Sequence, residues 1–369
     1  MRFSRGNLEK MTQVAPEKSV EPVPQLKRRG LPRMQELGLI VVVAAIYLFF
    51  TVASRGLPAP GQWNAFLNLD NQVQGISRKL SVYAIMAVGM TCVIITGGID
   101  ISVGAIFAMS MLSTGTILEK MPINAPWYLV MPIAFLVPMI VGGLCGAANG
   151  LIKTIFRIHP FIVTLATLSI LRGLCVLYFP PNVPPQGYHF PEIFSKFMRF
   201  SVGRDLEIVP LIVMLVVVAA GAIFLQATIA GRETYAAGGN EEAARFSGIR
   251  VWWVNTRVYI IMGICCGIAS AVELGRFGLA QTNSGDGYEL TVIASAVVGG
   301  AALTGGRGTA LGALLGTLVI TAIENGILTM QWDTNYTKII VGTSIIIAVS
   351  VDRLSDHFLK LRKRGRLSH

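Results

Sequence analysis

Gly231-Arg232-Glu233-Thr234-Tyr235-Ala236-Ala237-Gly238-Gly239-Asn240-Glu241-Glu242-Ala243-Ala244-Arg245-Phe246-Ser247-Gly248-Ile249-Arg250 is a polar stretch set between strongly apolar flanks. Such a stretch marks where a membrane-embedded body meets water. Its local chemistry predicts a short helix. Asn240 can cap an N-terminus, Glu241 and Glu242 suit the positive end of the helix dipole, and Gly248 can take the left-handed stop. That leaves roughly seven residues, about 10 Å of helix. Gly238-Gly239 just before it lets the chain turn sharply at little steric cost. The segment reads either as a loop helix lying on its own protein or as a docking surface for another chain.

The composition agrees with a membrane body. Of 369 residues, 53% are hydrophobic and 14% charged, where soluble domains carry about 25% charge. The net charge of +11 could suggest nucleic acid, but its placement argues otherwise. Residues 1–33 hold eight Lys/Arg against three Glu and residues 353–369 hold six against Asp356, so the tails carry +10 of the total. Positive tails flanking apolar spans place both termini in the cytoplasm and make the number of spans even. No nucleic-acid partner is expected.

The expected fold is an all-α polytopic membrane protein of about ten spans, near 37–54, 80–97, 101–118, 128–148, 160–179, 208–229, 257–275, 290–304, 308–329 and 338–352. The domains are a basic N-terminal tail (1–36), a membrane body (37–352) with a polar cytoplasmic loop (230–256), and a basic C-terminal tail (353–369). The segment from Leu37 is read as a retained span, since the stretch before it is too long and too rich in Pro and Glu for a signal peptide. Several spans are short and flank glycine clusters, which predicts broken or re-entrant helices. Trp63, Trp127 and Trp332 sit near outer span ends and Trp252-Trp253 near the inner face, as interfacial aromatics do. The outer loop at 180–207 is Pro-rich and reads as a lid or docking rim. Cys92, Cys145, Cys175, Cys265 and Cys266 lie in apolar segments without zinc or redox spacing and read as small core residues.

Two further stretches stand out. In Gly89-Met90-Thr91-Cys92-Val93-Ile94-Ile95-Thr96-Gly97-Gly98-Ile99-Asp100-Ile101-Ser102-Val103-Gly104, a Gly-Gly pair followed by a carboxylate breaks a helix where irregular backbone is tolerated only if buried or lining a cavity. Asp100 either lines a path or caps the helix that begins near Ile101. In Val297 to Gly316, Gly308, Gly312 and Gly316 recur at i, i+4 and i+8 and predict one small-residue face for close helix packing. Glu324-Asn325 further along is expected to face the protein interior or a partner subunit, and Arg172 and Glu273 either to do the same or to snorkel at helix ends. No nucleotide-binding loop, zincin motif or nucleophile elbow occurs, which argues against an enzyme.

These three stretches, in this order, resemble the monosaccharide permease family of bacterial ABC importers, the ribose, xylose and arabinose type. The resemblance covers roughly residues 37–352. It implies a multi-pass inner-membrane subunit paired with a second copy or a paralogue, cytoplasmic ABC ATPases that carry the ATP and Mg, and a periplasmic sugar-binding protein. No cofactor is expected on this chain. The coupling helix of the family falls on Gly239 to Gly248, which makes Gly239, Asn240, Glu241, Glu242, Ala243, Ala244, Arg245 and Phe246 the expected ATPase contacts. The helix-break motif falls on Thr96 to Gly104, so Thr96, Gly97, Gly98, Asp100 and Ser102, with Glu324 and Asn325, are candidates for a substrate path or gate. Arg78-Lys79 departs from the pattern, where uncharged residues are expected. A branched-chain amino acid or nucleoside permease and an ion-coupled secondary transporter are the alternatives.

Overall fold

The computed structural model describes residues 32–57, 64–183, 190–202, 206–346 and 350; residues 1–31 of the N-terminal tail, the C-terminal tail, Trp63 and part of the 180–207 loop lie outside them. Apolar runs punctuated by glycine give a helical body: α1 (Pro32–Ala53), α2 (Arg78–Ile95) extended backwards by a π-helical segment (Asn71–Ser77), α3 (Val103–Leu118), α4 (Trp127–Phe156), α5 (Pro160–Tyr178), α6 (Glu192–Met198), α7 (Ile208–Ala227), α8 (Ile229–Gly239), α9 (Glu241–Phe246), α10 (Val251–Phe277), α11 (Tyr288–Val298) and α12 (Ala310–Thr329). Residues 335–346 are also helical. Two antiparallel ladders of two residues each, β1 (Asn182–Val183) with β4 (Ala280–Gln281) and β2 (Ser201–Val202) with β3 (Leu206–Glu207), are the strands among the described residues.

Seven of these helices are long and apolar enough to cross a membrane, by length and composition, and α3 and α11 are shorter apolar helices. The chain is a polytopic membrane protein; of the ten expected spans, seven fall on the long helices, two on α3 and α11, and the last, 338–352, falls on the helix at 335–346 and partly outside the described residues. At 16 and 11 residues, α3 and α11 reach only about 24 and 17 Å against a hydrocarbon core of about 30 Å. Both stop beside glycine: α3 follows Gly97-Gly98, and α11 leads into Gly299–Thr309, where Gly300, Gly305 and Gly306 take left-handed backbone. The span expected at 290–304 is thus a half-helix completed by a loop that is buried at Gly299, Ala301 and Ala302 and exposed at Thr304.

The second span begins earlier than expected. Its helix runs back through the π-helical segment to Asn71, so Arg78 and Lys79 lie inside a helix.

Burial separates core from rim. The most apolar stretches of α2, α10 and α12 are 83, 72 and 67% buried by the rest of the chain, whereas α1 is 6% buried and α4, α5 and α7 between 22 and 28%. The poorly buried helices are apolar on their outward faces and suit lipid. Close packing is made by glycine. A Cβ on Gly312 would lie 2.1 Å from the Gly299 carbonyl oxygen, and one on Gly316 would lie 2.1 Å from that of Ser295. Gly308 does not share that face. It precedes α12, and a Cβ there would meet Thr91 and Ile95 of α2 instead. A second seam with the same spacing, Gly142, Gly146 and Gly150 on α4, packs against the backbone of Gly263, Tyr259 and Thr256 on α10.

Candidate functional site

The three stretches singled out in the sequence meet at one end of the bundle. Thr96 closes α2, its hydroxyl donating to the Val93 carbonyl at 2.8 Å, and Gly97 follows in the left-handed region at φ +74°. The Gly306 amide donates to the Ile95 carbonyl at 2.8 Å. Above this junction sits Gly238 of α8, where a Cβ would lie 1.7 Å from the Ile95 oxygen and 2.9 Å from the Gly306 nitrogen. A Cβ on Gly305 would in turn lie 2.6 Å from the Gly238 oxygen. The Tyr235 hydroxyl closes the joint by donating to the Gly308 carbonyl at 2.6 Å. Burial pushes that phenol up to about 12, so it remains a donor at physiological pH. Backbone therefore touches backbone between α2, α8 and the loop before α12. Such a contact transmits displacement with little slack.

Gly238 and Gly239 do not make the turn expected of them. Both lie inside α8, and the chain turns at Asn240, which has extended backbone. Gly238 is required for close approach, while nothing lies within 4 Å of a Cβ placed on Gly239.

The short helix expected after this turn is α9. The Asn240 side chain accepts from the Ala243 amide at 3.0 Å, Glu241 and Glu242 occupy the first turn, and Gly248 takes φ +82°. Arg245 pairs with Glu241 at 2.9 Å. The helix has two faces. Ala244 is 3% exposed and packs with Ala237, Val251 and Val254 of its own chain, so it is not available to a partner. Ala243 is exposed, and Phe246, at 91% exposure, projects an aromatic ring away from the body. Arg257 ties α10 to α8, pairing with Glu233 at 3.2 Å and donating to the Ala230 carbonyl at 2.7 Å.

Asp100 is fully buried. One of its oxygens accepts from the Ser102 amide at 2.9 Å and from the Ser102 hydroxyl at 2.6 Å, and the other from Asn149 at 3.4 Å. Asn149 also donates to the Ser102 hydroxyl at 2.8 Å and accepts from Thr167 at 2.6 Å. The carboxylate thus anchors the start of α3 to α4 and α5, and it engages one backbone amide. Asn149 and Thr167 escaped the sequence reading. Their signal was a single amide and a single hydroxyl in otherwise apolar spans.

At the other end of the bundle, where β1 pairs with β4, five charged residues from distant segments pair. Arg78 meets Glu207 at 3.0 Å, and Arg276 bonds the same carboxylate. Lys79 meets Glu324 at 3.2 Å. These acids from distant segments are why Arg78-Lys79 can sit in a span. Arg172 donates to the carbonyls of Thr282 and Ser284 at 3.1 and 2.8 Å, so it holds a loop instead of snorkelling. Glu273 accepts from the Tyr288 hydroxyl at 3.3 Å. Asn325 turns toward Gly75, where a Cβ would lie 2.2 Å from its side-chain oxygen. Thr96–Ser102, expected to share a path or gate with Glu324 and Asn325, lie at the opposite end of the bundle from them. Among the described residues, no group of three His, Cys, Asp or Glu could hold a metal. The five cysteines are free thiols.

Comparison with known proteins gives a consistent answer. Residues 72–349 match the family model described as branched-chain amino acid transport system / permease component. The ribose import permease protein RbsC of Escherichia coli K12 is 37% identical over 320 residues, covering 86% of this chain and 94% of the relative. The D-allose transport system permease protein AlsC of the same organism is 36% identical over 290 residues, covering 78% and 85%. The probable ABC transporter permease protein YphD, also from E. coli K12, is 32% identical over 334 residues, covering 89% and 94%. No solved structure matches the chain.

Proposed function

This chain belongs to the permease-component family of branched-chain amino acid type transport systems, and on that premise we propose that it is the membrane subunit of a bacterial ABC importer for a monosaccharide. The observation that carries the substrate class is the near full-length similarity to ribose and allose permeases. The chain is a transport component and not an enzyme.

In this reading the α8–α9 end faces the cytoplasm and the ladder end faces the periplasm. The entry of the chain supports it: Glu36 near the start of α1 accepts from the Thr309 hydroxyl at 3.3 Å, so α1 begins at the α8–α9 end, just after Lys27-Arg28-Arg29 in the sequence. A separate ATPase binds α9, with the Phe246 ring as its anchor and Glu242, Ala243 and Arg245 around it. ATP-driven displacement of α9 moves α8, and the glycine contact at Gly238 passes that movement to the end of α2 and to the loop before α12. Both helices also line the ladder end, so a push at one end alters the opening at the other. Thr96, Gly97 and Gly98 serve as the pivot of the gate, and Asp100 and Ser102 hold the start of α3 steady beside it. A second permease copy and a substrate-binding protein complete the importer.

The test is uptake of labelled D-ribose and D-allose by membrane vesicles that carry the permease with its ATPase and binding protein, with ATP supplied or withheld. ATP-dependent uptake of a monosaccharide is expected. The description of the matched family favours a second reading, and transport of leucine with no uptake of any monosaccharide would replace the first by it.

A further inference from the structure

Helices α2, α11 and α12 and the helix at 335–346 enclose a cavity of about 440 Å³ at the ladder end, within the range of small-molecule sites, about 300–1,000 Å³. Its polar wall includes Lys79, Glu324, Thr291 and Asn335, with Asp286 and Lys338 also on the lining, and Tyr83 and Tyr288 form its aromatic wall. The two rings meet edge to face with centroids 4.9 Å apart. Glu324 is 7% exposed. Its one hydrogen bond among the described residues, from Lys79, uses Oε2, which leaves Oε1 to accept from whatever enters. A carboxylate offers about four lone-pair positions, and a buried one is costly unless it is paired and bonded. Transport of a neutral solute needs no compensating charge. Lys79 and Glu324 neutralise each other, and the carboxylate oxygen that Lys79 does not use offers a molecule with several adjacent hydroxyls a strong acceptor beside a cationic donor. The hydroxyls donate to Oε1, accept from the Lys79 ammonium and exchange bonds with Thr291 and Asn335, while the apolar face of the ring lies on the tyrosines.

Resting on the permease reading above, we propose that this cavity is a monosaccharide site within the permease itself, with Glu324 and Lys79 as the residues that recognise hydroxyls. The chain then selects its substrate a second time, after any delivery protein has released it. A site built to bond hydroxyls rejects solutes that lack them far better than an apolar pore does, because its own polar groups are left unpaired.

The experiment places a cysteine at the cavity wall, Thr334→Cys, in the full importer and measures the rate at which a water-soluble maleimide labels it, with the unsubstituted chain as the background for the native thiols. D-ribose or D-allose is expected to slow labelling, and leucine to leave it unchanged. Glu324→Gln is expected to weaken that protection about tenfold, the effect of losing a charge-assisted bond. Thr291→Phe fills the cavity without touching the ion pair and is expected to abolish protection, which keeps the test open if Glu324→Gln reaches the membrane poorly. Labelling that no monosaccharide slows, in an importer with intact ATP-driven sugar uptake, overturns the site and leaves the permease reading standing. An importer that takes up no monosaccharide at all overturns both.

Discussion

The amide of Gly306 donates to the carbonyl of Ile95 at 2.8 Å, which ties the loop before α12 to the end of α2 directly under Gly238 of α8. The bond joins residues 211 positions apart in the chain, and no side chain intervenes. Movement of α8 is therefore felt by two helices that run to the far end of the bundle.

Gly238 and Gly239 separate contact from flexibility. Gly238→Ala puts a methyl group 1.7 Å from the Ile95 oxygen, and neither backbone can retreat without opening the joint. Overpacking of this kind costs about 1–3 kcal/mol, so a lower melting temperature and loss of uptake are expected. Gly239→Ala meets nothing and extends a helix with a better helix former, worth about 0.8–1 kcal/mol. Thermal stability in detergent and uptake in vesicles check the pair, and equal behaviour would show that the joint is loose.

Phe246→Ala is expected to leave folding unchanged, since the ring is 91% exposed, while weakening retention of the ATPase by more than about 1 kcal/mol. Ala243→Trp crowds the same outer face and is expected to detach the ATPase or uncouple hydrolysis from uptake. Ala244→Trp acts inward against Val251 and Val254 and is expected to lower stability first. Co-purification with the ATPase, read beside the melting temperature, distinguishes the three. Full ATPase recovery with Phe246→Ala would rule the ring out as the anchor.

Asp100→Ala takes the acceptor from the buried Ser102 amide and hydroxyl, while Asn149 keeps its bond to the Ser102 hydroxyl. Each unsatisfied buried group costs about 1–3 kcal/mol, so reduced yield of folded protein is expected together with reduced uptake. Thr167→Val removes a donor at the edge of the same network and should cost less, about 1 kcal/mol. Wild-type yield and melting temperature for Asp100→Ala, measured by fluorescence-detected size exclusion, would show that the network is not structural.

Gly146→Leu and Gly312→Leu drive a side chain into the backbone of Tyr259 and Gly299, each 2.1 Å from where a Cβ would lie. Gly173→Leu has open space on an exposed face of α5. The first two are expected to lose at least about 1–3 kcal/mol, and Gly173→Leu to purify normally.

Much of this protein is determined by the sequence alone. Apolar run lengths locate the long spans, because a span must bury about twenty residues in lipid and satisfy its own backbone, but not the early start of the second span at Asn71 or the half-helix at Tyr288–Val298. The short helix at 241–246 is legible because its cap, its acidic first turn and its glycine stop are all local. The small-residue face of Gly312 and Gly316 is legible from spacing, but the same spacing in Gly142, Gly146 and Gly150 went unread and forms the α4–α10 seam. Partners are what only the tertiary structure decided. Gly238 looks identical to Gly239 until Ile95 arrives opposite one of them, and Ala243 identical to Ala244 until Val251 covers one. Arg78 and Lys79 read as misplaced charges until Glu207 and Glu324 come within bonding distance from segments far along the chain. A glycine, an alanine or a charge carries its local preference with it in the chain, but its energy depends on what folding places against it.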